Sequence, residues 1–131
     1  MELYEIISCV VAVVALVLSG CSIYMSKKSA REQLRLNFFI EYTKRYQEIT
    51  IKILSDKQNE VCYQRLYIDL CSEEYYLKSR GHLPAEIWEL WLDGMRFSIK
   101  SASLQTAWKQ YGGLYNDEFA AFFRNLIKEN A

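Results

Sequence analysis

Hydrophobic and polar positions follow two regimes along this chain. From Ile6 to Met25, IISCVVAVVALVLSGCSIYM, 20 residues pass without a charged side chain. A helix rises about 1.5 Å per residue, so this run predicts a rod of ~30 Å, the thickness of a bilayer's hydrocarbon core. Lipid offers the backbone no hydrogen-bond partners, and a helix satisfies them internally. Tyr4 and Tyr24 stand near the two ends, where amphipathic rings favour the interface. The run reads as a transmembrane helix.

Beyond it, apolar positions recur with a helical period. Leu34, Phe38, Tyr42, Tyr46, Ile49 and Ile53 predict one buried face on a helix that continues from the span to about Leu54. Leu36, Ile40, Ile51 and Leu54 predict a second face, as on a helix that is central in a bundle or shared with a neighbouring subunit. Ser55 and Asp56 are N-cap types and predict a break. A second helix then runs to Arg80, with Gly81 as its stop. Its polar stripe is Arg65, Asp69 and Ser72, and its apolar arc of Leu66, Leu70 and Leu77 takes in Glu73. Leu83-Pro84 opens a third helix, with Pro at its first position and Ile87, Trp88, Trp91, Met95 and Ile99 on its buried face. Gly94 beside that face predicts a close helix crossing. A fourth helix begins at Ser103, carries Trp108 and Tyr111, and stops at Gly112-Gly113, the expected flexible joint. Asn116 caps a last helix packed through Phe119, Phe122, Phe123 and Leu126.

Charge sets the orientation. Before the span stand Glu2 and Glu5 and no basic side chain; after it come Lys27, Lys28, Arg31 and Arg35. Basic residues stay cytoplasmic, so the N-terminal stretch is expected outside and the rest inside, at a bacterial inner membrane. Leu18-Ser19-Gly20-Cys21 offers a competing reading, a lipobox cleaved and lipidated at Cys21. The acidic MELYE stretch argues against it, because a signal peptide needs a positive n-region. The expected class is all-α. Residues 1–26 form an external N-terminus and a transmembrane helix, which continues into a cytoplasmic bundle of four to five helices over 27–131.

Composition agrees. Five Gly and one Pro among 131 residues leave little material for the turns of an all-β fold, and 51% hydrophobic residues exclude a disordered chain. The formal net charge is zero, with 16 basic and 16 acidic side chains, which disfavours binding to nucleic acid through bulk charge. Removing Glu2 and Glu5 leaves 14 acids against 16 bases in the remainder, a balance of +2.

The span carries a second pattern. Ser8, Ala12, Ala15, Ser19, Ser22, Ser26 and Ser29 recur at alternating spacings of four and three. Small residues let membrane helices approach closely, and Ser hydroxyls bond across them. A 3.5-residue period favours left-handed packing. This seam predicts a homo-oligomer in contact with membrane lipid. As a further extension, several copies would line a polar path with these Ser residues.

Catalytic chemistry is sparse. His82 is the one histidine, and no nucleophile motif accompanies it. No phosphate loop appears, and neither the Cys nor the His spacing makes a metal site, so no metal or other cofactor is expected. Cys62 and Cys71, nine apart on one helix, point about half a turn apart and cannot bridge each other. Glu73 and Glu74 point about 100° apart and make no acid dyad. Glu73, on the apolar arc, is expected to form a structural ion pair with Arg96 or Arg124, with Glu74 solvated. Trp88 and Trp91, at helical spacing in an apolar arc, read as core more than as a binding platform. Arg80, His82, Leu36 and Ile40 are the candidate interaction surface for a protein partner.

Phe38-Phe39-Ile40-Glu41-Tyr42, Leu70-Cys71-Ser72-Glu73-Glu74-Tyr75, Glu86-Ile87-Trp88-Glu89-Leu90-Trp91-Leu92-Asp93-Gly94-Met95, Trp108 and the Phe119–Phe123 segment form a pattern over most of the chain after the span. It resembles small bacterial membrane-anchored helical proteins grouped under a domain of unknown function, some of them in phage-defence loci. The layout is also similar to the membrane accessory proteins of RNA-targeting CRISPR systems, which join an N-terminal span to a helical cytoplasmic domain and assemble as rings. The chain lacks the Arg-x4-His element of that comparison; Arg80-Gly81-His82 is too tight and lies in a turn. The resemblance implies a self-associating accessory or effector protein of antiviral defence, not an enzyme, acting on membrane integrity or through protein contacts. The alternatives are a passive tether for a cytosolic partner and a divergent RNase of the HEPN type.

Overall fold

A computed structural model describes residues 2–130, which are helical throughout apart from short connections. Met1 and Ala131, the outer ends of the two expected segments, lie outside the described residues. α1 spans Leu3–Ser55, α2 Glu60–Ser79, α3 Ala85–Ser98, α4 Ala102–Tyr111 and α5 Asp117–Glu129. Single 3-10 turns at Lys57–Asn59 and Gly112–Leu114 precede α2 and α5. The all-α class is as the sequence predicts. The chain divides into two compact units at Asn37/Phe38, and α1 runs through the expected 26/27 boundary without a break.

In the first unit α1 carries the uncharged run. It is long and apolar enough to cross a membrane, and none of it is buried against protein. Exposed Leu16, Val17, Leu18 and Ile23 would be costly in water and suit a lipid solvent.

The second unit is a bundle around α2. Ile68, Leu70 and Cys71 are fully buried, together with Met95 of α3, Leu104 and Ala107 of α4, and Phe119 and Phe123 of α5. Aromatic rings join these helices. Tyr75 of α2 stacks on Phe122 at 4.6 Å between centroids, and Trp108 of α4 meets Phe123 at 4.8 Å. Offset and tilted pairs at such spacings add stabilisation beyond area burial. From α1, Ile49 is buried and Tyr42 and Ile53 pack against the same core, while Ile40, Ile51 and Leu54 stay exposed. The predicted buried face is therefore realised only in part: Ile49, Tyr42 and Ile53 pack on the core, whereas Leu34 and Tyr46 are exposed.

Helix ends follow local chemistry. Gly81, at φ 74°, closes α2: its N–H donates to the Lys78 carbonyl at 3.1 Å, and the His82 N–H donates to the Leu77 carbonyl at 2.9 Å. That pair of bonds is a Schellman cap. The Asn116 side chain accepts from the Phe119 N–H at 2.9 Å and caps α5, as expected. A polar cluster ties the start of α2 to the start of α4. Ser103 Oγ donates to Glu60 Oε1 at 3.0 Å, and buried Gln64 donates Nε2 to Ser103 Oγ at 3.1 Å.

Several local expectations are corrected. Asp56 does not cap α2 directly; its carboxylate accepts from Asn59 Nδ2 and the Tyr63 hydroxyl across the intervening 3-10 turn. Those two bonds hold its pKa below the ordinary carboxylate value. Pro84 is the cap residue of α3 and not its first helical position, with ψ of 146°. Leu92, not Trp91, is among the buried residues of α3, and Trp91 is half-buried. Gly94 makes no close crossing, since a Cβ there would meet nothing within 4 Å. Gly112 opens a 3-10 turn, and a Cβ added there would come within 3.1 Å of the Trp108 indole.

Candidate functional site

The predicted seam residues Ser8, Ala12, Ala15, Ser19, Ser22 and Ser26 all lie on α1 and are exposed. The basic cluster Lys27, Lys28, Arg31 and Arg35 follows on the same helix, also exposed. Of the candidate interaction residues, Leu36 and Ile40 are about half exposed on α1. Arg80 and His82 are exposed at the end of α2, with the Arg80 guanidinium 5.1 Å from the Tyr76 ring centroid. Cys62 is exposed and Cys71 buried, both as free thiols.

The expected ion pair is overturned. Glu73 pairs with Arg45 of α1, while Arg96 pairs with Asp93 one turn earlier on α3 at 2.9 Å. Arg124 is exposed on α5. The two acids also exchange roles. Glu73 is exposed, and Glu74 is the buried one, 6% accessible. The buried arc of α2 runs through Gln64, Tyr67, Ile68, Leu70, Cys71 and Glu74; of the expected arc it keeps Leu70 but not Leu66, which is 41% exposed. Consecutive residues sit about 100° apart, so this shift of the arc turns Glu73 outward and Glu74 inward.

Glu74 lines a cavity of about 160 Å³ within the second unit. α1 contributes Tyr42, Thr43 and Tyr46, and α2 contributes Tyr67 beside Glu74. α3 contributes Leu90, Trp91 and Gly94. Tyr42 and Trp91 lie 5.3 Å apart between ring centroids, and Tyr46 and Tyr67 5.8 Å. The charged groups that act on the Glu74 carboxyl are Arg45 and Glu73. Burial pushes its pKa up to about 8, with Arg45 opposing the rise and Glu73 adding to it. Burial likewise raises the Tyr42 and Tyr67 hydroxyls and the Cys71 thiol, which leaves Cys71 in its unreactive thiol form at neutral pH.

Sequence reasoning missed this cavity. Tyr42, Glu74 and Trp91 come from three helices, and no spacing in the chain links them. The signal within reach was the width of the aromatic arc on α2: centring it on Tyr67 and Cys71 places Glu74 inside.

Comparison with protein-family models, curated proteins and solved structures returns no match.

Proposed function

We propose that this protein is a single-span, self-associating membrane accessory protein that acts through assembly and protein contacts, not through catalysis. One observation carries the reading: the uncharged Ile6–Met25 segment of α1 is exposed along its whole length and is followed at once by Lys27, Lys28, Arg31 and Arg35. A surface that apolar needs lipid or another span around it. The basic cluster favours the cytoplasmic side for the bundle. Self-association is supported by the small-residue register of the span and by the exposed Leu36 and Ile40 on the same helix. An antiviral setting is supported by the layout similarity to membrane accessory proteins of defence systems.

The test is made in bacterial cells expressing the whole chain with a C-terminal epitope. The chain should sediment with membranes and resist alkaline carbonate. Protease added to spheroplasts should leave the epitope intact, and the mass in maltoside micelles should exceed that of one copy. Release by carbonate, loss of the epitope, or a single-copy mass would each overturn the corresponding part of the reading.

A further inference from the structure

The cavity lined by Glu74 is not used by a membrane anchor, and its chemistry points to a ligand. Four aromatic rings and one carboxyl face the same space. The volume, about 160 Å³, compares with the ~150 Å³ that suffices for a benzene ring. We propose that this cavity binds a small organic cation, a substituted ammonium group, with Tyr42, Tyr46, Tyr67 and Trp91 as its cage and Glu74 as its counter-charge.

The lining and such a cation are complementary. Aromatic faces are negative at the centre and attract cations, most strongly where water is excluded. Quaternary ammonium groups spread their charge over methyl surfaces, so they lose little hydration on entering such a site. Three charged groups act on this wall, the one cation Arg45 against the two carboxylates Glu73 and Glu74. Arg45 is paired with Glu73, and that pair is internally neutral. α3 brings no charge to the wall, only Leu90, Trp91 and Gly94. Glu74 stands in the cavity wall at 6% accessibility, and a cation beside it would offset the cost of burying its charge. Gly94 keeps the space open: its missing side chain leaves nothing within 4 Å of where a Cβ would be.

Substituted ammonium groups occur on free amines and on lipid headgroups. The two sources are told apart by the medium in which the full chain is held. In maltoside micelles or phosphatidylglycerol nanodiscs, at about pH 8.5 so that Glu74 is ionised, choline is titrated while the tryptophan indole N–H resonances are followed. Trp91 is assigned from a Trp91→Phe variant. Choline should shift the Trp91 resonance saturably, while its neutral isostere 3,3-dimethylbutanol should bind about tenfold more weakly or not at all. Glu74→Gln should weaken choline binding by about tenfold, and Gly94→Leu, which fills the space without touching the charge, should abolish it. If choline-headgroup nanodiscs shift Trp91 with no choline added, the ligand is a lipid headgroup; if only added choline does so, it is a free amine. Either result supports the site. Equal binding of choline and the neutral alcohol to the native chain would overturn the proposal, as would the absence of any Trp91 shift with choline and with choline-headgroup discs alike. Neither of those outcomes depends on Glu74→Gln or Gly94→Leu folding, and neither bears on whether the chain spans a membrane.

Discussion

Burial raises the Glu74 carboxyl to about 8, so at neutral pH the folded chain holds a proton that the unfolded chain releases. The consequence for stability has a definite sign. The contribution is fully present below the ordinary carboxylate value near 4.5 and is lost as pH rises through about 8. Its size is on the order of a few kcal/mol. The charged neighbours on α1 and α2 are Arg45, which opposes the rise, and Glu73, which adds to it. Tyr42, Tyr67 and Cys71 are held above their ordinary values and titrate at higher pH. Thermal unfolding of the whole chain in maltoside, followed by circular dichroism without added amine, should give a midpoint that falls between about pH 5 and about pH 8. Glu74→Gln should flatten that dependence and unfold at higher temperature than the native chain at the alkaline end. A native midpoint that rises over the same interval would show that Glu74 is ionised and paired in the fold.

The connection from α2 to α3 depends on one backbone conformation. Gly81 is the sole residue with positive φ among those described, and both bonds of the α2 cap need it there. A Cβ at this position meets no neighbour within 4 Å, so Gly81→Ala tests the conformational cost with no clash to confuse it. That cost is about 1–2 kcal/mol, expected as a lowered unfolding midpoint with helix content unchanged. This end of α2 was legible in the sequence because the signal is local: a glycine after a run of helix formers. The Asn116 cap and the stop before Gly112 were legible for the same reason. The inward face of α2 was not. Leu66 and Leu77 look like core residues by hydrophobicity, yet Gln64 is buried, and its placement depends on Ser103, 39 positions further on. Glu73 was placed inward for the same reason, and Arg45, its true partner, lies 28 residues earlier on another helix. Periodicity finds an amphipathic helix; it cannot set the phase of the buried arc when polar groups are satisfied by distant partners.

At the scale of the whole chain, the proposed assembly through α1 would give its apolar segment a role beyond the proposed anchoring. In lipid there is no hydrophobic drive between helices, so association depends on close packing and hydrogen bonds between small side chains. In water the drive is burial of apolar area. Counting on from Ser29 at the same alternation of four and three reaches Gln33, Leu36 and Ile40. One register therefore passes from small residues suited to lipid to large apolar ones suited to water. Substitutions should obey that change of chemistry. Ala15→Leu and Ser19→Leu, which hold neighbouring helices apart, should lower the oligomer mass measured in maltoside by light scattering. Val17→Leu, about 160° around the helix from Ser19, should leave it unchanged. Ile40→Glu should weaken assembly by removing apolar burial, and Ile40→Leu should restore it, since volume is kept. A mass unaffected by Ala15→Leu, Ser19→Leu and Ile40→Glu together would place the contact on another face of α1, whereas sensitivity to Val17→Leu alone would do so more directly. The small-residue register and the water-exposed leucine and isoleucine are thus tied to one measurable quantity, and they stand or fall by the pattern of response around the helix.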